Sequence, residues 1–147
     1  MDSKGGRPRM SWSDYFSQLA VLAAQRSEDP YLQVGAVAIR PDNSVAAMGY
    51  NGPPPGVNID WNDRDARRPL IIHAEVNCLN RVQPGECDRI FSTFMPCPSC
   101  LAVIASKRIQ RVGFIAEDHR GVESRIVAAK FGIKLFELTP LKQGDKL

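Results

Sequence analysis

Apolar positions along this chain fall into two kinds of repeat. Between Ser11 and Ser27, the residues Tyr15, Phe16, Leu19, Leu22 and Ala23 recur at spacings of three and four, which predicts an amphipathic helix. Ser11 and Asp14 have capping-box spacing, with aspartate in place of the usual glutamate. Asp29-Pro30 then ends the helix. Two short apolar runs follow, QVGAVAIR at 33–40 and SVAAMGYN at 44–51, and the PDN between them is a hairpin signature. Periodicity lapses over GPPPGVNIDWNDRDARRP, residues 52–69. A connection of that length inside a compact domain is usually functional or disordered, and Trp61 among dense Asp and Arg favours function.

Beyond this stretch the two repeats alternate. Residues 73–82 read as a helix, 89–94 as a strand, 98–108 as a helix, 111–117 as a strand, 121–132 as a helix and 133–138 as a last strand. This is the rhythm of an α/β sheet covered by helices. A helix between the last two strands is the crossover that a parallel pair requires, so those strands should lie parallel. Gly5, Gly6 and Pro8 make residues 1–10 an N-terminal arm, residues 11–140 form one domain, and 141–147 form a tail.

Composition narrows the class. The 147 residues are 44% hydrophobic and 24% charged, ordinary for a globular protein. No apolar run approaches the ~20 residues that span a bilayer, and no apolar segment follows the charged N-terminus as in a secretory signal. A cytoplasmic protein with no membrane partner is expected. The net charge of +3 lacks the concentrated basic stripe of a nucleic-acid binder and suits a small anionic ligand equally well.

Four cysteines and two histidines carry the candidate chemistry. In a reducing compartment a close cysteine pair points to metal or redox chemistry rather than a disulfide. Cys97 and Cys100, in MPCPSC, stand at i and i+3 at the start of a predicted helix, where both thiolates can face one ion. A helix N-terminus also favours deprotonated sulfur. His73, in IIHAEVN, would complete a His-Cys-Cys set. Three protein ligands leave a fourth zinc position for water, the catalytic pattern. Glu75, two residues on, need not bind metal and would act as general acid and base. A redox C-x-x-C pair is the alternative reading, but it leaves Glu75 unexplained. The wide spacing of Cys78 and Cys87 is unlike a zinc knuckle, so both read as core thiols.

The HAE and PCPSC segments match the H-x-E…P-C-x-x-C pattern of the zinc deaminases. The chain therefore resembles the zinc-dependent cytidine deaminase superfamily, and within it most closely the deoxycytidylate deaminases, through SEDPYLQVGAV and GYNGPPPGV as well. The resemblance spans roughly residues 8–137. It implies a three-layer α/β/α fold with a mixed five-stranded sheet, and hydrolysis of dCMP to dUMP and ammonia, feeding thymidylate synthesis. One zinc would be held by His73, Cys97 and Cys100, with Glu75 moving protons. Val34 would pack on the pyrimidine, Asn51 would bind the deoxyribose and the Ala74 N–H would meet the ring carbonyl.

The resemblance further implies a homohexamer activated by dCTP and inhibited by dTTP, Mg²⁺ accompanying the triphosphate. Tyr50 and Gly52 are candidates for the effector, His119 and Arg120 for the substrate phosphate, and Arg26, Arg64, Arg67 and Arg68 for either the substrate or the triphosphate effector, the last three placed with the effector. The relatives' second, structural zinc is not expected, because no cysteine or histidine occurs between residues 51 and 72. Other zinc deaminases, acting on cytidine, guanine or tRNA adenosine, and a catalytically dead zinc module are the competing readings. The parallel final strands argue against the free-nucleoside branch, the weak charge against the tRNA branch, and Glu75 against a dead module.

Overall fold

The computed structural model describes residues 5–139. The assigned C-terminal tail at 141–147, and the first four residues of the assigned N-terminal arm, lie outside the described residues. Residues 6–10 are in neither helix nor strand.

Helix α1 (Trp12–Ala24) starts where the capping pattern places it, with the Ser11 side chain accepting from the Asp14 N–H at 3.1 Å. Strands β1 (Gly35–Ile39) and β2 (Val45–Tyr50) form the antiparallel hairpin. Its turn is closed by an Asn43 N–H···O Arg40 bond of 2.9 Å. Asn43 takes the left-handed conformation (φ 70°), which asparagine tolerates better than most residues. The strand and helix ends at 33–34 and 25–27 fall short of the sequence ranges, as terminal residues commonly do.

The long connection is not without structure. It carries a short helix α2 (Arg64–Arg67), continued by a 3₁₀ turn at Arg68–Leu70. Asp63 starts it by accepting the Ala66 N–H at 3.0 Å, a local cap that apolar periodicity does not register. The ends of the connection are stitched by an isolated antiparallel bridge: the Gly52 N–H donates to Ile72 O at 3.1 Å, and the Ile72 N–H to Gly52 O at 2.8 Å.

Next come α3 (Ala74–Leu79), β3 (Arg89–Phe94), α4 (Pro98–Ser106), β4 (Arg111–Ala116), α5 (Gly121–Lys130) and β5 (Lys134–Glu137). Helix α3 ends three residues before the expected Val82, in the turn that leads to Pro84 and left-handed Gly85. The sheet order is β2-β1-β3-β4-β5. β1 pairs antiparallel with β2 and β3, while β3, β4 and β5 run parallel, joined by the α4 and α5 crossovers. The parallel final pair was expected from the crossover helix, and the fold is the mixed α/β sheet that the resemblance implied.

Two apolar layers flank this sheet. α1 covers one face through Phe16 and Ala20 against Val37, Ile39 and Phe91. α3, α4 and α5 cover the other through Cys78, Leu79, Leu101, Ile104 and Ala128 against Ala36, Ala38, Ile90 and Val112. β1 is therefore buried on both faces, which explains its unbroken apolar sequence GAVAI. Fully burying each large side chain in these layers stabilises the fold by about 1.5–3 kcal/mol.

Two glycines set the layer spacing. A Cβ on Gly35 would lie 2.5 Å from the Ala24 nitrogen in α1. One on Gly49 would lie 2.5 Å from the Cys78 nitrogen and 2.6 Å from the Ala74 carbonyl oxygen, both in α3. The backbone of β2 thus touches the backbone of α3 directly, and α3 begins next to His73.

Candidate active site

The site forms at the carboxyl ends of the parallel strands, where ligands gather in open α/β sheets. β3 runs out into Met95-Pro96-Cys97, and β4 into the turn holding Asp118 and Arg120. A cavity of about 370 Å³ lies there, within the size range of small-molecule sites. Its lining includes His73, Ala74, Glu75, Cys97, Val34 and Asn51.

His73 and Cys97 are the N-caps of α3 and α4, both with extended backbones (φ −67°, ψ 152° and φ −73°, ψ 166°). Neither side chain makes a capping bond, so both are free to turn toward a shared centre. His73 and Glu75 therefore reach one cavity although they lie two residues apart. The histidine sits just outside the helix and the glutamate within its first turn. Cys100 follows from the buried side of α4.

The His73 Nδ1 lies 3.2 Å from Cys100 Sγ and 3.5 Å from Cys97 Sγ, and all three donor atoms lie within 4.8 Å of one another. A tetrahedral zinc with ordinary Zn–S and Zn–N bonds needs donors separated by about 3.5–3.8 Å. The donor set and its spacing fit that ion. Proton affinities agree. Hydrogen bonding from Cys100, reinforced by His73, holds Cys97 down at about 4, whereas the same bond to Cys97 pushes Cys100 far up. The pair thus sheds its first proton readily and its second with difficulty, a coupled titration that a divalent cation would complete. The His73 imidazole is raised, chiefly by its bond to Cys97.

Glu75 is buried, 4% exposed, and burial raises its carboxyl above the ordinary value against the opposing bonds from Cys100 and Ser92. Ser92, in the middle of β3, donates its hydroxyl to Glu75 Oε1 at 2.9 Å, with Phe94 O a second acceptor at 2.8 Å. A carboxyl whose affinity for a proton rises in a cavity is suited to acid–base work.

The other expected residues divide. Val34 lines the cavity and donates its N–H to Asn51 Oδ1 at 2.8 Å. The Asn51 amide in turn donates to Leu32 O at 2.9 Å and to Asp29 Oδ2 at 3.4 Å. Asn51 therefore staples the 29–34 segment, leaving one carbonyl lone pair for a ligand. The Ala74 N–H is in the first turn of α3, where backbone donors lack an intrahelical acceptor. Arg120 lines the cavity, bound to Asp118 (Nε to Oδ2, 2.8 Å), which bonding holds Asp118 at about 2. His119 is exposed and lies outside the lining, as do Tyr50 and Gly52. Arg64, Arg67 and Arg68 all reach the cavity. Arg26 lies over the Tyr50 ring instead, 5.8 Å from its centroid.

Sequence reading missed Asp29, Tyr31, Ser92 and Phe94. Ser92 had a signal, a hydroxyl inside a buried strand, since such a group needs a partner. Asp29 had one in DPY, where its carboxylate accepts the Tyr31 N–H at 2.8 Å as in an Asx-turn.

Comparison with known proteins gives the same picture. Residues 10–116 match the family model of the cytidine and deoxycytidylate deaminase zinc-binding region. The chain is 32% identical over 146 residues to the deoxycytidylate deaminase of Mus musculus, covering 89% of this chain and 82% of that one. It is 32% identical over 130 residues to that of Homo sapiens, covering 81% and 72%. Its fold is similar to the crystal structure of dCMP deaminase from the cyanophage S-TIM5 in complex with dCMP and dUMP, with a TM-score of 0.73 and 26% identity over 84% of this chain and 94% of that one.

Proposed function

This chain belongs to the cytidine and deoxycytidylate deaminase zinc-binding family, and on that premise we propose that it hydrolyses dCMP to dUMP and ammonia, supplying thymidylate synthesis. The observation that carries the reading is that His73, Cys97 and the buried Glu75 line one cavity, with the Cys100 donor atom within 4.8 Å of those of His73 and Cys97.

His73, Cys97 and Cys100 would hold the zinc ion. Bound there, zinc supplies Lewis acidity that makes water nucleophilic near neutral pH. Glu75 takes a proton from the attacking water and delivers it to ring N3. The water oxygen bonds to C4, giving a tetrahedral carbon. Glu75 then carries the second water proton to the exocyclic amine, the C4–N bond breaks, and ammonia leaves. Val34 packs on the pyrimidine, the Ala74 N–H meets the ring carbonyl, and the remaining Asn51 lone pair accepts from the deoxyribose. Arg120, which lines the cavity, would bind the phosphate, whereas His119 lies outside the lining.

Activation by dCTP with Mg²⁺, inhibition by dTTP and a homohexameric assembly follow from the resemblance and belong to the same reading, with Tyr50 and Gly52 as effector contacts. A cytoplasmic location accords with four free cysteines. Among the described residues no helix is long and apolar enough to cross a membrane.

The test is ammonia release from dCMP, CMP and deoxycytidine. dCMP should be much the better substrate, and a preference for deoxycytidine would overturn the assignment.

A further inference from the structure

Helix α5 opens against the loop that carries the metal-binding cysteines. Ser124, one turn into the helix, is 2% exposed and donates its hydroxyl to Pro96 O at 2.7 Å. A serine inside a helix often bonds back to the carbonyl four residues earlier. Here that carbonyl, Arg120 O, accepts the Ser124 N–H at 3.4 Å, and the hydroxyl reaches instead to a residue 28 positions away. Among the described residues it is the one side-chain hydrogen bond between α5 and residues 94–100. The Pro96 carbonyl shares a planar peptide group with the Cys97 N–H, so holding it fixes the plane from which Cys97 enters α4.

The same end of α5 presents Arg120. Arg120 and Ser124 stand at i and i+4, share a face of the helix, and both line the cavity. The turn that leads into them is well tied. The Arg120 N–H donates to Asp118 Oδ1 at 2.9 Å and the Gly121 N–H to Asp118 O at 3.0 Å, while Glu117 pairs with Arg125 at 2.5 Å. The Arg120 guanidinium also lies 5.9 Å from the Phe94 ring centroid. Residues 94–97 are thus met at two points by side chains one helical turn apart.

Binding energy from a remote part of a substrate raises turnover where the protein carries it to the reacting end. We propose that Ser124 is a positioning residue that transmits the seating of the substrate phosphate on Arg120 to the Cys97 loop, so that the phosphate contributes to turnover as well as to binding. This inference rests on the deaminase reading above, with Arg120 as the phosphate contact. A phosphate that draws Arg120 into one position settles the first turn of α5, and the Ser124–Pro96 bond settles the peptide ahead of Cys97. Deoxycytidine, lacking the phosphate, leaves that turn unloaded. A hydroxyl that merely satisfied a buried carbonyl would, on removal, harm every substrate alike.

The test compares dCMP with deoxycytidine on the zinc-loaded wild type and on Ser124→Ala, with rates normalised to bound zinc. In the variant, kcat for dCMP should fall about tenfold while its KM stays within about twofold. For deoxycytidine, kcat/KM should change by less than about twofold. Equal losses on both substrates overturn the proposal, as does an unaltered preference. Inorganic phosphite supplies the missing group as a separate piece. At saturation it should speed deoxycytidine turnover about fivefold in the wild type and not at all in Ser124→Ala. It should also slow the release of zinc to a chelator about threefold in the wild type, and not in the variant. Slowing of the same size in both would place phosphite on the metal itself and overturn the proposal. So would wild-type deoxycytidine turnover indifferent to phosphite, a result that needs no variant to fold. Absence of turnover with dCMP, or a preference for deoxycytidine, would instead defeat the parent assignment.

Discussion

Ser92 Oγ lies 2.9 Å from Glu75 Oε1, and both side chains are buried. The hydroxyl fixes one carboxyl oxygen against β3 and so sets how the other is presented. Because Phe94 O, 2.8 Å away, can only accept, the single Ser92 proton has two acceptors to choose between. Ser92→Ala should lower kcat about tenfold, equivalent to about 1.4 kcal/mol in the barrier, and leave KM near its normal value. Steady-state kinetics with dCMP checks this, and an unchanged kcat would show that Glu75 is oriented without Ser92.

Glu75 itself is expected to matter for proton transfer and not for holding metal. Glu75→Ala should retain zinc by elemental analysis and lose about 10²–10⁴ in rate. Loss of the metal along with activity would move Glu75 into the ligand set.

Gly49 links the sheet to the metal-binding end of α3. In Gly49→Ala the new Cβ would meet backbone atoms of Cys78 and Ala74 at 2.5–2.6 Å, and backbone cannot swing aside as a side-chain tip can. Overpacking of this kind costs about 1–3 kcal/mol. A lower melting temperature together with weaker zinc retention should follow. Gly52→Ala is the control, since nothing lies within 4 Å of its added Cβ.

The thiols should separate by environment. Burial pushes Cys78 up to about 12 and Cys87 to about 11, from an ordinary 9.0. Both stay protonated and slow to react with a disulfide reagent at pH 8. In the unfolded chain these thiols ionise near pH 9.0, while the fold retains their protons. Their contribution to stability is therefore complete below that pH and fades as pH rises toward 12. Chelation should unmask one fast thiol per chain, Cys97, which is held at about 4. Chelated protein in which no thiol reacts quickly would contradict that ordering.

Much of this was legible in the residues. Periodicity located α1, the hairpin and the β/α alternation, because each of those elements buries one stripe or face. The crossover at α5 required the parallel β4–β5 pair. Spacing brought Cys97 and Cys100 together, but the convergence of His73 depended on its N-cap backbone, a tertiary outcome. α2 escaped notice since it buries no apolar residue and depends on the Asp63 cap. Neither the inclusion of the Arg64–Arg68 face in the catalytic cavity nor the position of His119 outside it could be read from charge alone.

The reciprocal Gly52–Ile72 bridge means that the excursion leaves and rejoins the body at almost one point. Between those ends the excursion meets the body again through Trp61 O and Arg67, both against Tyr31, so its remaining length can vary while the histidine that follows keeps its post. Lengthening a loop whose ends are already tied is entropically cheap. Grafting foreign excursions onto this frame would therefore be a direct route to retuning which phosphorylated pyrimidine it prefers.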